Sequence, residues 1–310
     1  MKLIFMGTPE FAIPSLEELM KSSHRVLAVV TGIDKPVGRG QKVRPTPIKK
    51  FALEKGLPVL TPLKLKDEKF ISELKQFEAD IFVVVAFRIL PVAVFTIPPR
   101  GTINLHGSLL PKYRGAAPIN WAIINGEQKT GLTTFFIEKK VDRGEIILMR
   151  ETEIGPEETA GELHDRLCQQ GAKLLVETLD LIEQEKVQPR KQAGEPTLAP
   201  KITKEVCRID WNKDAESIYN LVRGLSPYPR ATGVFHDTEM KICCARIVPS
   251  EIGQNVEPGT IVKADKTGEL HVATGQGIIS ITELQPECKR RMTSAEFLRG
   301  HQVQPGEKFE

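Results

Sequence analysis

The sequence predicts an α/β fold, with a doubly wound, mostly parallel sheet followed by a small C-terminal β-barrel. Three observations support this prediction. The chain has 310 residues, too long for one ordinary domain and suited to two. In its first part, short apolar strands alternate with amphipathic helices, as in a parallel sheet covered by helices on both faces. Beyond Ile202, short strand-like runs follow one another between turns, as in small barrels.

The elements of the first part follow from hydrophobic periodicity. Predicted strands cover residues 2–6, 26–31, 59–60, 79–86, 131–137 and 145–149. Predicted helices cover a segment carrying Phe11, Leu16 and Leu19, and residues 48–55, 67–77, 117–124 and 159–182. The run 79–86 is the most apolar, which predicts a central, parallel strand that is buried on both faces.

The second part is predicted to hold one short helix and several short strands. The helix covers residues 215–224, and the strands cover 241–248, 259–262, 270–273 and 278–284. A polar stretch with Pro, Gly and Gln residues lies between the two parts, as linkers do. We therefore predict an α/β domain over residues 1–189, a linker over 190–206 and a β-barrel over 207–310.

Composition predicts a globular protein of the cytoplasm. Hydrophobic residues make up 40% of the chain and charged residues 27%, which gives ample core and a polar surface. No segment approaches the roughly twenty apolar residues of a membrane span, and the first apolar run is too short for a signal peptide. The five cysteines are scattered without C-x-x-C spacing, which argues against a disulfide framework or a zinc site.

The stretch that starts at Ile103 begins as the end of a further apolar strand, and this strand ends in polar side chains. Asn104 and His106 stand two residues apart, so in extended backbone their side chains point the same way. The chain then turns at Gly107, and open α/β sheets bind ligands at such carboxyl ends. For this pair alone, a capping Asn and a core His are the more common explanation.

Asp142 adds a third polar group, in a turn after a strand that we expect to be parallel. An Asn, a His and an Asp without a nucleophile make no hydrolase triad, and no G-x-S-x-G elbow surrounds Ser108. The set fits acyl transfer to an external nucleophile. The amide can donate to an oxygen that becomes negative, the imidazole can handle the proton, and the carboxylate can orient or tune the imidazole.

The positive charge is concentrated in one segment. The net charge is only +3, but residues 34–50 carry six basic residues against one acid, a local charge of +5. The segment is long, rich in Gly and Pro and poor in apolar residues. It suits phosphate contacts, and a solvated surface loop explains it equally well.

Several motifs resemble the folate-dependent formyltransferases. Two of them are N-L-H-G-S-L-L-P-K-Y-R-G-A-A-P at 104–118 and T-G-L-T-T-F-F-I-E-K-K-V-D-R-G at 130–144. Three others resemble the member of that family that acts on charged tRNA: M-G-T-P-E-F-A-I-P-S-L, D-K-P-V-G-R-G-Q-K-V-R-P-T-P-I-K and A-P-K-I-T-K-E-V-C-R-I-D-W. The resemblance covers essentially the whole chain. It implies a Rossmann-like catalytic domain joined to an oligonucleotide-binding (OB)-like barrel.

The resemblance also implies the substrates and partners. The formyl donor would be 10-formyltetrahydrofolate, and the acceptor would be the α-amino group of methionine esterified to initiator tRNA. We expect an enzyme of translation initiation that acts as a monomer, without a metal and away from membranes.

The matching motifs imply three sets of site residues. The catalytic set is Asn104, His106 and Asp142. The folate-binding set is Phe87, Arg88, Ile89, Leu90, Ser108, Leu109, Leu110 and Pro111. The tRNA-binding set is Lys35, Arg39, Lys42, Arg44, Lys204 and Arg208. Two segments depart from the family pattern. At residues 86–91 the chain is one residue shorter, and Arg88 makes it more similar to the glycinamide ribonucleotide formyltransferases. In the motif at 130–144, Ile137 and Lys139 replace residues that are more often small and acidic.

Two other functions compete with this interpretation. A formyltransferase acting on a small amine, such as glycinamide ribonucleotide or an amino sugar nucleotide, would keep the catalytic set but has no use for a cationic segment and an added barrel. A non-catalytic RNA-binding protein would use the cationic segment, but it does not need all three polar positions.

Overall fold

The computed structural model describes residues 1–37, 42–249, 256–265 and 267–310. The chain forms two compact units. The first unit comprises residues 1–115, 130–152 and 164–198, and the second comprises 116–129, 153–163 and 199–310. The predicted division into 1–189, 190–206 and 207–310 stays a prediction.

The first unit is built around a seven-stranded sheet in the described part of the chain. The strands of this unit are β1 (Lys2–Gly7), β2 (Arg25–Val30), β3 (Lys35–Val37), β4 (Lys42–Arg44), β5 (Val59–Leu60), β6 (Ile81–Val85), β7 (Thr102–His106), β8 (Arg114–Gly115), β9 (Lys129–Phe136) and β10 (Ile146–Glu153). The sheet order is β10-β9-β7-β6-β1-β2-β5, while β3 and β4 form a separate hairpin. As the apolar run 79–86 predicts, β6 is central and fully buried.

Strand direction changes at one edge of this sheet. The pairs β1–β2, β1–β6, β2–β5 and β6–β7 are parallel, whereas β9 runs antiparallel to β7. Our expectation of a parallel strand before Asp142 is therefore wrong. Phe136 at the end of β9 pairs with Ile103 at the start of β7. The chain therefore leaves β9 near the amino end of β7, whereas His106 lies at its carboxyl end. The loop 137–145 has to carry Asp142 back.

Helices cover the sheet, and apolar side chains bury both of its faces. The helices of the first unit are α1 (Ile13–Lys21), α2 (Pro47–Glu54), α3 (Glu68–Gln76), α4 (Val92–Phe95) and most of α6 (Ala160–Glu183), with a 3₁₀ turn at Glu10–Ala12. The second unit holds α5 (Pro118–Ile124), α7 (Lys204–Cys207), α8 (Ala215–Gly224) and α9 (Ser294–Gly300). On one face, Val84 belongs to a core cluster with Phe70 of α3. On the other, Leu105 packs at Gly171 of α6, where a Cβ atom would come within 2.7 Å of its side chain. This arrangement confirms the predicted doubly wound sheet.

The second unit holds an antiparallel β domain. After β11 (Leu198–Ala199), its strands are β12 (Ala231–Phe235), β13 (Thr238–Val248), β14 (Ile261–Ala264), β15 (Leu270–Ala273), β16 (Ile278–Pro286) and β17 (Met292–Thr293). They form one sheet in the order β12-β13-β16-β15-β14, with β17 on β16. Trp211, Phe235 and Phe309 pack together in its core. The predicted fold class, an α/β sheet domain followed by a small β domain, is confirmed.

The prediction missed β12 because its turn carries no glycine signal. His236 and Asp237 connect β12 to β13, and both have positive φ, as the type I′ turn of a two-residue hairpin loop requires. Within the described ranges, no helix is long and apolar enough to cross a membrane.

Thiol labelling should separate the cysteines by burial. Burial raises the pKa of the Cys168 thiol to about 12, and it also raises the pKa of Cys207, Cys243 and Cys244, whereas Cys288 is exposed. Because the thiolate is the reactive form, iodoacetamide at pH 8 should label the exposed Cys288 first, the half-buried Cys244 more slowly, and the buried Cys168, Cys207 and Cys243 only after unfolding. Mass spectrometry of the timed digest measures this order. Equal labelling of Cys168 and Cys288 in the native protein would contradict it.

Candidate active site

Three predicted residues come together in the first unit. Asn104 and His106 lie on β7 with their side chains on the same face of the strand. The loop 137–145 brings the Asp142 Oδ2 atom to 4.0 Å from His106 Nδ1. The side chain of His106 is 6% exposed and that of Asp142 is 12% exposed. An amide, an imidazole and a carboxylate are therefore grouped at the carboxyl end of β7.

The imidazole of His106 is oriented by a backbone carbonyl. Its Nε2 atom lies 2.9 Å from the carbonyl oxygen of Tyr113. Because a carbonyl only accepts hydrogen bonds, Nε2 carries a proton and donates it. Nδ1 is then the atom left for chemistry, and it is the one that faces Asp142.

Asp142 is held in an uncommon backbone conformation. Its φ is +51°, in the left-handed region that residues with a side chain rarely occupy. Its carboxylate Oδ2 accepts a hydrogen bond from the backbone N–H of Gly115 at 2.9 Å. The carboxylate therefore has a fixed partner on β8 while it faces His106.

The Asn104 amide is available to a ligand. In the sheet, Asn104 lies beside Val84 of β6 and Phe135 of β9, and it is half-buried. Its side chain makes no hydrogen bond to any residue that the structure describes. A half-buried donor without a protein partner suits a substrate oxygen.

The predicted folate segment after β7 is fixed by internal hydrogen bonds. Thr133 of β9 donates its hydroxyl to the Ser108 carbonyl at 2.6 Å and accepts from the Leu110 N–H at 3.2 Å. The Ser108 hydroxyl donates to the Lys112 carbonyl at 2.6 Å. Because Ser108 and Leu110 are buried, backbone atoms and the half-buried side chains of Leu109 and Pro111 are the groups of this segment that a ligand could reach.

The other predicted folate segment follows β6, the strand next to β7. Ala86 turns the chain with a φ of +48°. The Arg88 guanidinium donates to the carbonyls of Pro62 at 2.9 Å and Leu63 at 3.3 Å. Ile89 is 75% exposed, whereas Leu90 is buried in the core. Arg88 thus holds the neighbouring loop at Pro62 and Leu63 through hydrogen bonds, and the side chain of Ile89 exposes apolar surface.

Two supporting residues lie in the predicted linker, where the sequence gives no signal for them. The Thr197 hydroxyl accepts from the Tyr113 N–H at 2.8 Å, next to the carbonyl that holds His106. The Gln192 amide donates to the carbonyls of Asp142 at 3.0 Å and Gly144 at 2.9 Å. Both contacts lie within the first unit.

The basic segment contains the β3–β4 hairpin. Lys35 of β3 stands directly opposite Arg44 of β4, so two like charges face each other across the pair. At its base, Lys49 pairs with Asp34 at 2.8 Å and Thr31 bonds to Thr46 at 2.8 Å.

Because Lys49 neutralises the segment's one acid, the charges left on the hairpin are all positive. Arg39 lies outside the described residues, and of Lys42 only the backbone is described. Lys204 and Arg208 are exposed in the second unit, and Arg208 follows α7.

Family comparison identifies the fold. A model of the formyl transferase family matches residues 1–179, and a model of the formyl transferase C-terminal domain matches residues 201–302. The chain belongs to the formyltransferase family. The resemblance inferred from the motifs is thereby confirmed.

Full-length relatives and a solved structure agree with this assignment. The formyltransferase is 48% identical over 308 residues to methionyl-tRNA formyltransferase of Alkaliphilus oremlandii, covering 99% of this chain and 98% of the relative. It is 47% identical over 312 residues to methionyl-tRNA formyltransferase of Acetivibrio thermocellus, covering 99% of both.

An N-formyltransferase from Helicobacter canadensis, solved with folinic acid and dTDP-3-aminofucose, shares the fold with a TM-score of 0.69 at 23% identity. The match covers 91% of this chain and 98% of that one.

Gly144 should be essential to the loop that carries Asp142. A Cβ atom at this position would overlap the backbone carbonyl of Phe136, which cannot move without disturbing β9. Gly144→Ala should therefore cost roughly 1–3 kcal/mol of unfolding free energy and lower formyl transfer. Urea unfolding and an activity assay measure both. Gly300→Ala, where a Cβ meets open space, is the matched control, and an equal effect of the two changes would contradict the assignment.

Proposed function

We propose that this chain transfers a formyl group from 10-formyltetrahydrofolate to the α-amino group of methionine esterified to initiator tRNA. The observation that carries the proposal is 48% identity, over almost the full length of both chains, to a relative named methionyl-tRNA formyltransferase. The grouping of Asn104, His106 and Asp142 at one strand end supports it from the chemistry.

The first step is attack of the neutral amine on the formyl carbon. An α-amino group titrates near pH 8, so a substantial fraction is neutral under physiological conditions. The new C–N bond pushes the carbonyl electron pair onto oxygen. The unpartnered Asn104 amide donates to this oxyanion, and a protonated His106 donates to it from Nδ1 because Nε2 is already committed to Tyr113.

The second step returns the electron pair and breaks the bond to the folate nitrogen. The attacking amine must lose a proton and the departing nitrogen must gain one, so a net proton moves between them. His106 Nδ1 and Asp142 are the groups placed to relay it. Their separation of 4.0 Å exceeds a direct hydrogen bond and leaves space for a bridging water or the substrate amine.

The donor would bind where the carboxyl ends of β6 and β7 lie side by side. Phe87, Ile89, Leu109 and Pro111 supply apolar walls, and the backbone of the two segments supplies hydrogen-bonding groups. Arg88 shapes this wall through Pro62 and Leu63.

The tRNA would be held by the cationic hairpin together with Lys204 and Arg208. Lys35 and Arg44 repel each other in the free protein, and a phosphate between them would relieve that repulsion. Arg39 and Lys42 complete the proposed set. A cytoplasmic location and a monomeric state are further parts of the proposal.

Substrate competition tests the function. The purified protein with 10-formyltetrahydrofolate should formylate charged initiator tRNA far faster than glycinamide ribonucleotide or an amino sugar nucleotide. Formylation of the small amines alone would support the first rival function. RNA binding without turnover on any amine would support the second.

The catalytic set makes a quantitative prediction. Replacing one donor to an oxyanion typically costs about 10²–10³ in kcat, so Asn104→Ala and His106→Ala should each slow turnover by that factor. Steady-state kinetics with charged tRNA measure the loss, and circular dichroism checks the fold. A folded His106→Ala protein with near-normal turnover would refute the mechanism.

The hairpin makes an ionic-strength prediction. If Lys35 and Arg44 contact phosphates, Lys35→Ala or Arg44→Ala should weaken tRNA binding and reduce the slope of log K against log salt by about 1. Folate binding should not change. Lys69→Ala on the exposed surface of α3 is the control, and an unchanged slope in the hairpin variants would remove these residues from the RNA interface.

A further inference from the structure

We propose that Gln192 is a positioning residue that holds Asp142 against His106. The proposal rests on the catalytic role given to Asp142 above. Gln192 lies in the predicted linker, and its hydrogen bonds go to Arg114 and to two backbone carbonyls rather than to a side chain of the proposed catalytic set.

The position of Asp142 depends on contacts from outside the loop 137–145 that carries it. The loop 137–145 starts near the amino end of β7, away from His106, so strand pairing does not bring the Asp142 carboxylate to the imidazole. The backbone of Asp142 also lies in the left-handed region, which costs on the order of 1 kcal/mol or more for a residue with a side chain. Contacts from outside the loop must hold this conformation.

Gln192 supplies those contacts to the backbone. Its Nε2 group donates to the carbonyl of Asp142 at 3.0 Å and to the carbonyl of Gly144 at 2.9 Å. The two carbonyls lie on either side of Arg143. One amide thus uses both of its N–H groups to fix the part of the loop that carries the carboxylate.

The orientation of this amide is set by Arg114. The guanidinium of Arg114 donates from Nε at 3.2 Å and from Nη2 at 2.5 Å to Gln192 Oε1. A guanidinium can only donate and the two loop carbonyls can only accept, so the amide has one orientation that satisfies every partner.

The two neighbouring residues of β8 therefore act on Asp142 by two routes. Gly115 holds the carboxylate directly through its N–H at 2.9 Å, while Arg114 holds the backbone through Gln192. Together they fix the direction from Asp142 toward His106. Because a misplacement of 1 Å at a reacting group can cost up to about 100-fold in rate, this support bears on turnover.

Three variants test the support. Gln192→Leu removes all of its hydrogen bonds. Gln192→Glu keeps an acceptor for Arg114 but replaces the N–H donors with an oxygen beside two carbonyls. Both should lower kcat for formylation of charged tRNA by roughly 10–100-fold, with KM values for tRNA and folate changed less than about twofold. Gln188→Leu, at an exposed glutamine four residues before Gln192, is the matched control and should behave as the parent protein.

A double-substitution cycle separates positioning from a general structural role. Gln192→Leu and Gln192→Glu are also made on an Asp142→Ala background, and single-turnover rates are measured with enzyme in excess. If Gln192 acts through Asp142, neither change should slow the reaction further on that background. A structural role would slow both backgrounds by the same factor.

The outcomes are distinct. A loss of kcat that disappears on the Asp142→Ala background supports the proposal. Unchanged kcat in both Gln192 variants, or an equal loss on both backgrounds, overturns it. Normal turnover of Asp142→Ala alone would instead refute the catalytic role of Asp142, which is a failure of the proposed function.

Discussion

The hydrogen bond from His106 Nε2 to the Tyr113 carbonyl is the contact on which the rest of the site depends. It decides which nitrogen carries the fixed proton and leaves Nδ1 toward Asp142. The backbone N–H of Tyr113 is itself held by Thr197. Of the next two residues, Gly115 holds the Asp142 carboxylate, and Arg114 holds the Asp142 backbone through Gln192. A short stretch of chain after β7 thus sets the geometry of an imidazole and a carboxylate that come from different places in the sequence.

Local sequence patterns predicted much of the fold. The helix Ala215–Gly224 and the strand Leu270–Ala273 have the predicted bounds, because their periodicity and turn residues agree with their packing. The direction of β9 could not be predicted, since period-2 alternation is the same in either direction. The turn at His236 and Asp237 was missed because it adopts positive φ without glycine or asparagine.

The candidate site was less accessible to prediction than the fold. Asn104 and His106 lie two residues apart on one strand, so their common face follows from the sequence alone. Asp142 was first grouped with them on the expectation of a parallel strand, which is wrong, and only the resemblance to a family gave an independent reason for the grouping. The roles of Gln192 and Thr197 depend on long-range hydrogen bonds by residues in a polar, Pro- and Gly-containing segment, and no local pattern marks such contacts.

The antiparallel pairing of β9 gives the proposed catalytic group two parts of different stiffness. Asn104 and His106 share the rigidity of a strand paired on both sides, whereas Asp142 is mounted on a loop that only a few side-chain and backbone hydrogen bonds restrain. Loops of this kind open at lower free energy than the sheet they leave. The amide and the imidazole therefore keep their positions through thermal fluctuations, whereas the position of the carboxylate lasts only while the hydrogen bonds from Gly115 and Gln192 stay closed.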